Sequence, residues 1–173
     1  LKYSFMKKLI IAPHIDDEVL GCGGILDSNT HVVYVGNGHS KNIISKEDRI
    51  KEANDVKNFL GHTYSILSHE VDKYKVYDAA MTATRPHDTN WFVKKIFLYE
   101  QPQLYLWNNT GKEFHPNYFV NIDIERKIQA YKLMPSQVRS FRSPELLHSM
   151  ATIRGKQSNY KFAEAFQIIR WVD

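Results

Sequence analysis

Two short apolar runs near the start of the chain restrict its fold more than any other feature. Residues 8–12 read KLIIA and stop at Pro13; residues 31–35 read HVVYV and stop at Gly36-Asn37-Gly38. Brief apolar runs closed by turn formers are the signature of buried strands. Between them, residues 17–27 set Val19, Leu20, Ile25 and Leu26 in a short helical pattern. Gly21, Gly23 and Gly24 lower its intrinsic helix propensity, while their small size permits close packing on a sheet. Strand, short helix, strand is the repeating unit of a parallel sheet, with a right-handed crossover by default.

The rest of the chain extends this pattern to an α/β sandwich. Residues 45–60 predict a second helix, with Ser45-x-x-Asp48 as a capping box, Ile50, Ala53, Val56, Phe59 and Leu60 on one apolar face, and Gly61 as the stop. Residues 63–67 predict a third strand, 79–84 a helix end halted before Pro86, and 93–99 a further strand. Residues 125–134 and 144–153 read as helices, residues 163–172 as a last helix or an edge strand, and the polar stretch 108–117 as a surface loop.

Composition narrows the class. The 173 residues, 43% of them hydrophobic, suit one compact domain, 1–173. A mean hydropathy of -0.44 and the absence of an apolar run near the ~18 residues of a bilayer crossing predict no membrane span. The start LKYSFMKK lacks the apolar stretch of a signal peptide. Cys22 is the only cysteine, which rules out an intrachain disulfide and a zinc site built from several cysteines; a reducing cytoplasm fits best. The net charge of +4 permits an anionic partner such as a nucleotide sugar. The basic residues are nevertheless dispersed among 19 acidic ones, so nucleic acid is not an expected partner. Oligomeric state is left open, a homo-oligomer included.

The chemistry concentrates in Pro13-His14-Ile15-Asp16-Asp17-Glu18, just past the first strand, where open parallel sheets place their ligand crevice. A neutral imidazole and a carboxylate three residues on can reach one Zn²⁺. A neighbouring carboxylate can take a proton from a water made more acidic by that metal. The bland alternative is that Asp16 and Asp17 only start a helix, capping its free N–H groups and complementing its dipole, with His14 a surface residue. The imidazole, the strand end and the glycine-rich continuation together favour the metal-site reading.

PHIDDEVLGCGG closely resembles the opening motif of the LmbE-like and PIG-L-like zinc-dependent N-deacetylases, with Ile15 where those proteins usually carry Pro. Further resemblance lies in Arg49-Ile50-Lys51-Glu52-Ala53, Leu60-Gly61, Thr82-Ala83-Thr84-Arg85-Pro86, Ser136-Gln137, Arg154-Gly155 and residues 160–166, so it spans almost the whole chain. The resemblance implies a Rossmann-like three-layer α/β sandwich with a mostly parallel sheet. It also implies zinc on His14 and Asp17, Asp16 as catalytic base, and Arg49 as a contact for substrate oxygens. Paired with Glu52, Arg49 reads equally well as an exposed helix charge. The implied reaction removes acetyl from an N-acetylglucosamine-type substrate, releasing acetate and an amino sugar.

One departure stands out. Relatives carry a second motif, roughly His-Pro-Asp-His, whose last His completes the zinc site, ahead of the stretch resembling residues 82–86. Only residues 68–81 occupy that interval here, so a segment is expected to be missing between about 72 and 78. His69 and His87 flank the interval, and His115-Pro116-Asn117 only superficially resembles the lost motif. The alternative is a metal-poor, noncatalytic sugar-binding protein on the same fold. The glycines at 21, 23 and 24 form a weak dinucleotide signal, because Leu26 stands where the third glycine of G-x-G-x-x-G belongs.

Overall fold

The computed structural model describes residues 8–36, 38, 44–69, 73–87, 92–102 and 113–173. β1 (Lys8–Ala12) and β2 (Thr30–Tyr34) pair in parallel, with Ile10 opposite Val32 and Ala12 opposite Tyr34. β3 (Thr63–Ile66) joins the far edge of β2, also in parallel, giving the order β1-β2-β3. Alternation divides this sheet sharply. Ile10, Ala12, Val32 and Tyr34 are buried on one face, while Leu9, on the other, is 60% exposed.

Between β1 and β2 lies α1 (Asp17–Cys22), every residue of which is buried. It gives way to a 3₁₀ turn over Gly23–Ile25, so the predicted helix over 17–27 is cut to six residues where the paired glycines begin. Small residues let α1 approach its neighbours closely. A Cβ on Gly21 would lie 2.1 Å from Cδ2 of Tyr99, and the Tyr99 hydroxyl donates to the Ile11 carbonyl at 3.3 Å. That contact joins β1 to the second sheet.

The second sheet is antiparallel: β4 (Lys95–Tyr99), β6 (Ala163–Trp171) and β5 (Tyr118–Asn121), in the order β4-β6-β5. Residues 163–172 are therefore neither a helix nor an edge strand but the central strand, hydrogen-bonded on both sides. The cause is β5, whose four residues YFVN are too short to announce themselves in sequence. Of the predicted surface loop over 108–117, residues 108–112 lie outside the described residues, and 113–117 have no regular structure. The Rossmann-like expectation is met by the parallel β1-α1-β2 unit and its third strand; the antiparallel sheet is the addition.

Helix α2 (Lys46–Leu60) starts and stops as its sequence predicts. The Ser45 hydroxyl accepts the Asp48 N–H at 3.0 Å, and Gly61 adopts φ 87°. Its buried stripe is rotated from the expected one: Arg49, Glu52, Ala53, Val56 and Leu60 face inward, and Phe59 is 42% exposed. The stripe begins with two charged residues because this end of α2 lies under the β1–α1 loop. Further helices among the described residues are α3 (Lys73–Ala83), α4 (Ile124–Lys132) and α5 (Pro144–Ser158), with a 3₁₀ turn over Pro135–Gln137. Helix α3 runs through most of the interval expected to lack a segment; residues 70–72 lie outside the described residues. Val19, Leu20, Val32, Tyr131, Met134 and Leu147 share one apolar cluster, each buried aliphatic side chain contributing roughly 1.5–3 kcal/mol.

His62, between α2 and β3, is 1% exposed, and neither ring nitrogen has a hydrogen-bond partner among the described residues. Burial holds its pKa down to about 4, so it folds neutral, whereas in the unfolded chain it titrates near about 6.5. The unfolded state binds the extra proton, so stability is full above the unfolded value and falls as the pH drops from there toward 4. Thermal unfolding followed from pH 8 to pH 4 should show this decline, and His62→Phe should flatten it. An identical acid slope in the variant would assign the decline to other groups.

Candidate active site

His14, Ile15 and Asp16 form the turn between β1 and α1. Gly38 lies against His14: a Cβ on Gly38 would lie 2.9 Å from the His14 Cβ, and Gly38 itself has φ +64°. Gly36 is as confined, since a Cβ there would meet the His69 carbonyl at 2.6 Å and the His14 ring at 3.5 Å. These glycines read in sequence only as a strand stop, and they are what leaves room for His14.

Asp17 is fully buried, and its Oδ2 accepts the His14 backbone N–H at 3.1 Å while lying 3.5 Å from His14 Nδ1. Its carboxylate thus reaches back to His14. Gln101, two residues past β4, donates to the Asp17 carbonyl at 3.1 Å and anchors the start of α1.

Asp16 occupies the N-cap position but does no capping with its side chain. Its backbone has φ 130° and ψ -29°, a region that L-residues rarely adopt and that costs on the order of 1–3 kcal/mol. Oδ2 of its buried carboxylate accepts from Arg142 Nη1 at 2.9 Å and lies 3.4 Å from Arg49 Nη2. The capping alternative therefore does not describe either side chain.

Arg49 is 1% exposed and engaged beneath the turn. Nη2 donates to the Ile15 carbonyl, and Nη1 donates to Glu52 Oε2 at 3.1 Å. Glu52 in turn accepts from the Ser136 hydroxyl at 2.7 Å and the Ser136 N–H at 2.9 Å. Gln137 donates to the Ser136 hydroxyl at 2.8 Å and accepts from Arg142 Nη2 at 2.9 Å. The Arg49-Glu52 and Ser136-Gln137 stretches, picked out in sequence as separate resemblances, meet here in one buried network with Arg142, which sequence reading missed.

Glu18 also went unassigned. Its Oε2 accepts the Asp16 N–H at 3.1 Å, its Oε1 accepts the Tyr34 hydroxyl at 2.7 Å, and burial pushes its pKa up to about 7. Cys22 is a buried apolar residue whose thiol burial pushes well above its ordinary range. Glu164 pairs with Lys127 at 2.7 Å and accepts the Gly24 N–H at 2.8 Å, tying β6 to the glycine turn.

His14 and Asp17 suit a divalent ion: an imidazole and a carboxylate lie side by side, and the fixed backbone around them limits reorganisation. Among the described residues no cluster of three or more His, Cys, Asp or Glu side chains forms. His69 reaches the same corner through its backbone, donating to the Val35 carbonyl at 2.8 Å, with its side chain exposed. His87 and His115 are exposed, and His115 Nε2 lies 3.4 Å from Glu113.

The fold, a parallel three-stranded sheet with a small antiparallel sheet, is shared by several solved structures. No family model and no curated protein matches the sequence. Among solved structures, the conserved protein TT1542 from Thermus thermophilus is similar with a TM-score of 0.75 and 19% identity, over 97% of this chain and 96% of that one. N,N'-diacetylchitobiose deacetylase from Pyrococcus horikoshii follows with a TM-score of 0.68 and 17% identity, over 94% of this chain and 83% of that one. The 4-carboxy-2-hydroxymuconate hydratase GalB from Pseudomonas putida has a TM-score of 0.67 and 18% identity, over 97% of this chain and 99% of that one. One architecture thus carries both a deacetylase and a hydratase, so the reaction must be argued from the site.

Replacing Arg49 with Met leaves Glu52 and Asp16 short of a buried cationic partner. Breaking such a pair costs about 3–5 kcal/mol, and urea unfolding should register a loss of that order. An unchanged midpoint would show that the guanidinium is not held in this network.

Proposed function

We propose that the chain is a metal-dependent N-deacetylase, with zinc as its metal, that hydrolyses the acetamide of an N-acetylglucosamine-type sugar or sugar conjugate. The observation that carries this reading is the β1–α1 turn, which brings His14 and Asp17 together and holds Asp16, between them in the chain, in a strained backbone with its carboxylate fixed by Arg142. The Pyrococcus horikoshii deacetylase, similar in fold over most of both chains, supports the choice of reaction.

His14 and Asp17 would hold the ion, which supplies a positive charge to polarise the acetamide carbonyl and acidify a water. Asp16 takes one proton from that water as its oxygen bonds to the carbonyl carbon. The resulting tetrahedral centre collapses with cleavage of the C–N bond. The proton carried by Asp16 passes to the leaving nitrogen, giving acetate and a free amine. In this proposal Arg49 would contribute positive charge near the developing oxyanion, and a direct substrate contact would require its guanidinium to leave Glu52 and Ile15. No helix among the described residues is long and apolar enough to cross a membrane, and the single buried Cys22 accords with a reducing compartment.

A metal-poor sugar-binding protein on the same fold is the competing reading, favoured by one observation: among the described residues no three or more His, Cys, Asp or Glu side chains gather into a group that could hold a metal. Asp16→Asn separates base from ligand. General-base catalysis contributes about 10²–10⁴-fold, so acetate release should fall by that order while zinc uptake, measured by elemental analysis, stays at the wild-type level. Near-normal turnover in the variant would remove Asp16 from the mechanism.

A further inference from the structure

We infer that Arg142 is a positioning residue for Asp16, and that the 3₁₀ turn over Pro135–Gln137 and the loop to Arg142 work as a brace, setting the direction of the Asp16 carboxylate. This rests on the deacetylase reading for its consequence in turnover, but the geometric claim stands on hydrogen bonds alone.

The brace is a closed circuit. From Asp16 Oδ2 it passes to Arg142 Nη1 at 2.9 Å, and from Arg142 Nη2 to Gln137 Oε1 at 2.9 Å. It continues from Gln137 Nε2 to the Ser136 hydroxyl at 2.8 Å, and from that hydroxyl to Glu52 Oε2 at 2.7 Å. Glu52 accepts from Arg49, and Arg49 donates to the Ile15 carbonyl, one residue before the strained backbone of Asp16. Asp16, Arg49, Glu52, Gln137 and Arg142 are each less than one-tenth exposed, so water competes little for these bonds.

Two further contacts stiffen the far side. The Tyr131 hydroxyl, carried on α4, lies 2.6 Å from the Gln137 carbonyl and 2.8 Å from the Arg142 carbonyl, stapling both ends of the loop. Arg139 and Arg142 form an isolated antiparallel bridge. A positive-φ aspartate persists only where its surroundings over-determine it. Arg49 acts on the backbone through Ile15, and Arg142 acts on the carboxylate. A planar guanidinium can address Asp16 and Gln137 at once in fixed directions, whereas an ammonium at the end of a flexible stem cannot.

The test compares Arg142→Lys and Gln137→Ala with the wild-type full chain. Amide hydrogen exchange at Asp16, Asp17 and Leu20 reads the geometry without needing turnover. It should rise by about tenfold or more in both variants, as local opening becomes easier, while exchange at Val32 and Tyr34 stays unchanged. In acetate release, kcat should fall by up to about 10²-fold, the scale of a small misplacement of a catalytic group, with KM and zinc content preserved. Should Arg142→Lys fail to fold, Gln137→Ala, which keeps the Asp16–Arg142 ion pair, decides the matter. Exchange at Asp16 equal to wild type in the folded variants, or wild-type kcat in them, would overturn the positioning role. If the wild-type chain releases no acetate from any acetamido sugar, the deacetylase reading falls, and the exchange comparison alone decides whether the brace exists.

Discussion

The strained backbone of Asp16 is the constraint around which the candidate site is built. A turn with φ 130° at an aspartate does not hold itself, and three separate parts of the chain restrain it. Glu18 accepts its N–H, Arg49 grips the preceding carbonyl, and Arg142 meets the carboxylate from a loop 126 residues away. Removing a carboxylate and two guanidiniums from water is expensive, and such burial is tolerable only when the charges and hydrogen bonds satisfy one another. In the proposed mechanism the gain is orientation: a base that is already aimed loses little in reorganisation when a proton moves.

The same demand explains features far from the turn. Gly36 and Gly38 leave room for the imidazole of His14, and Gly21 lets α1 lie against Tyr99. Tyr99, at the end of β4, and Gln101, two residues on, then link this part of the chain to β1 and to Asp17. The inward stripe of α2 begins with Arg49 and Glu52 rather than apolar residues because its N-terminal end lies under the site, not under the core. Lys127 and Glu164 repeat the device at the glycine turn, where a buried pair joins α4 to β6.

How much of this was legible in the sequence follows the range of the interactions. KLIIA, HVVYV and the capped helix ending at Gly61 rest on local propensity and periodicity, and they form where the sequence predicts. Residues 163–172 alternate too weakly to separate helix from strand, and their place at the centre of a sheet depends on pairing with β4 and β5. His14, Asp16 and Asp17 were legible as a cluster because they are adjacent in the chain. The direction of the Asp16 carboxylate was not, since it depends on Arg142, whose surroundings Ser140-Phe141-Arg142-Ser143 carry no pattern that points to a buried ion pair. Phe59, apolar yet exposed, and Arg49, charged yet buried, show the limit of a hydrophobic stripe where a helix passes under a polar site.

The most direct test of the central claim is acetate release by the full chain from a panel of N-acetylglucosamine derivatives, measured alongside its zinc content and repeated after chelation and zinc re-addition. The account predicts acetate and free amine in equal amounts, lost on chelation and restored by zinc. Sugar binding without any acetate, whether or not zinc is supplied, would contradict it and leave a binding protein on the same fold.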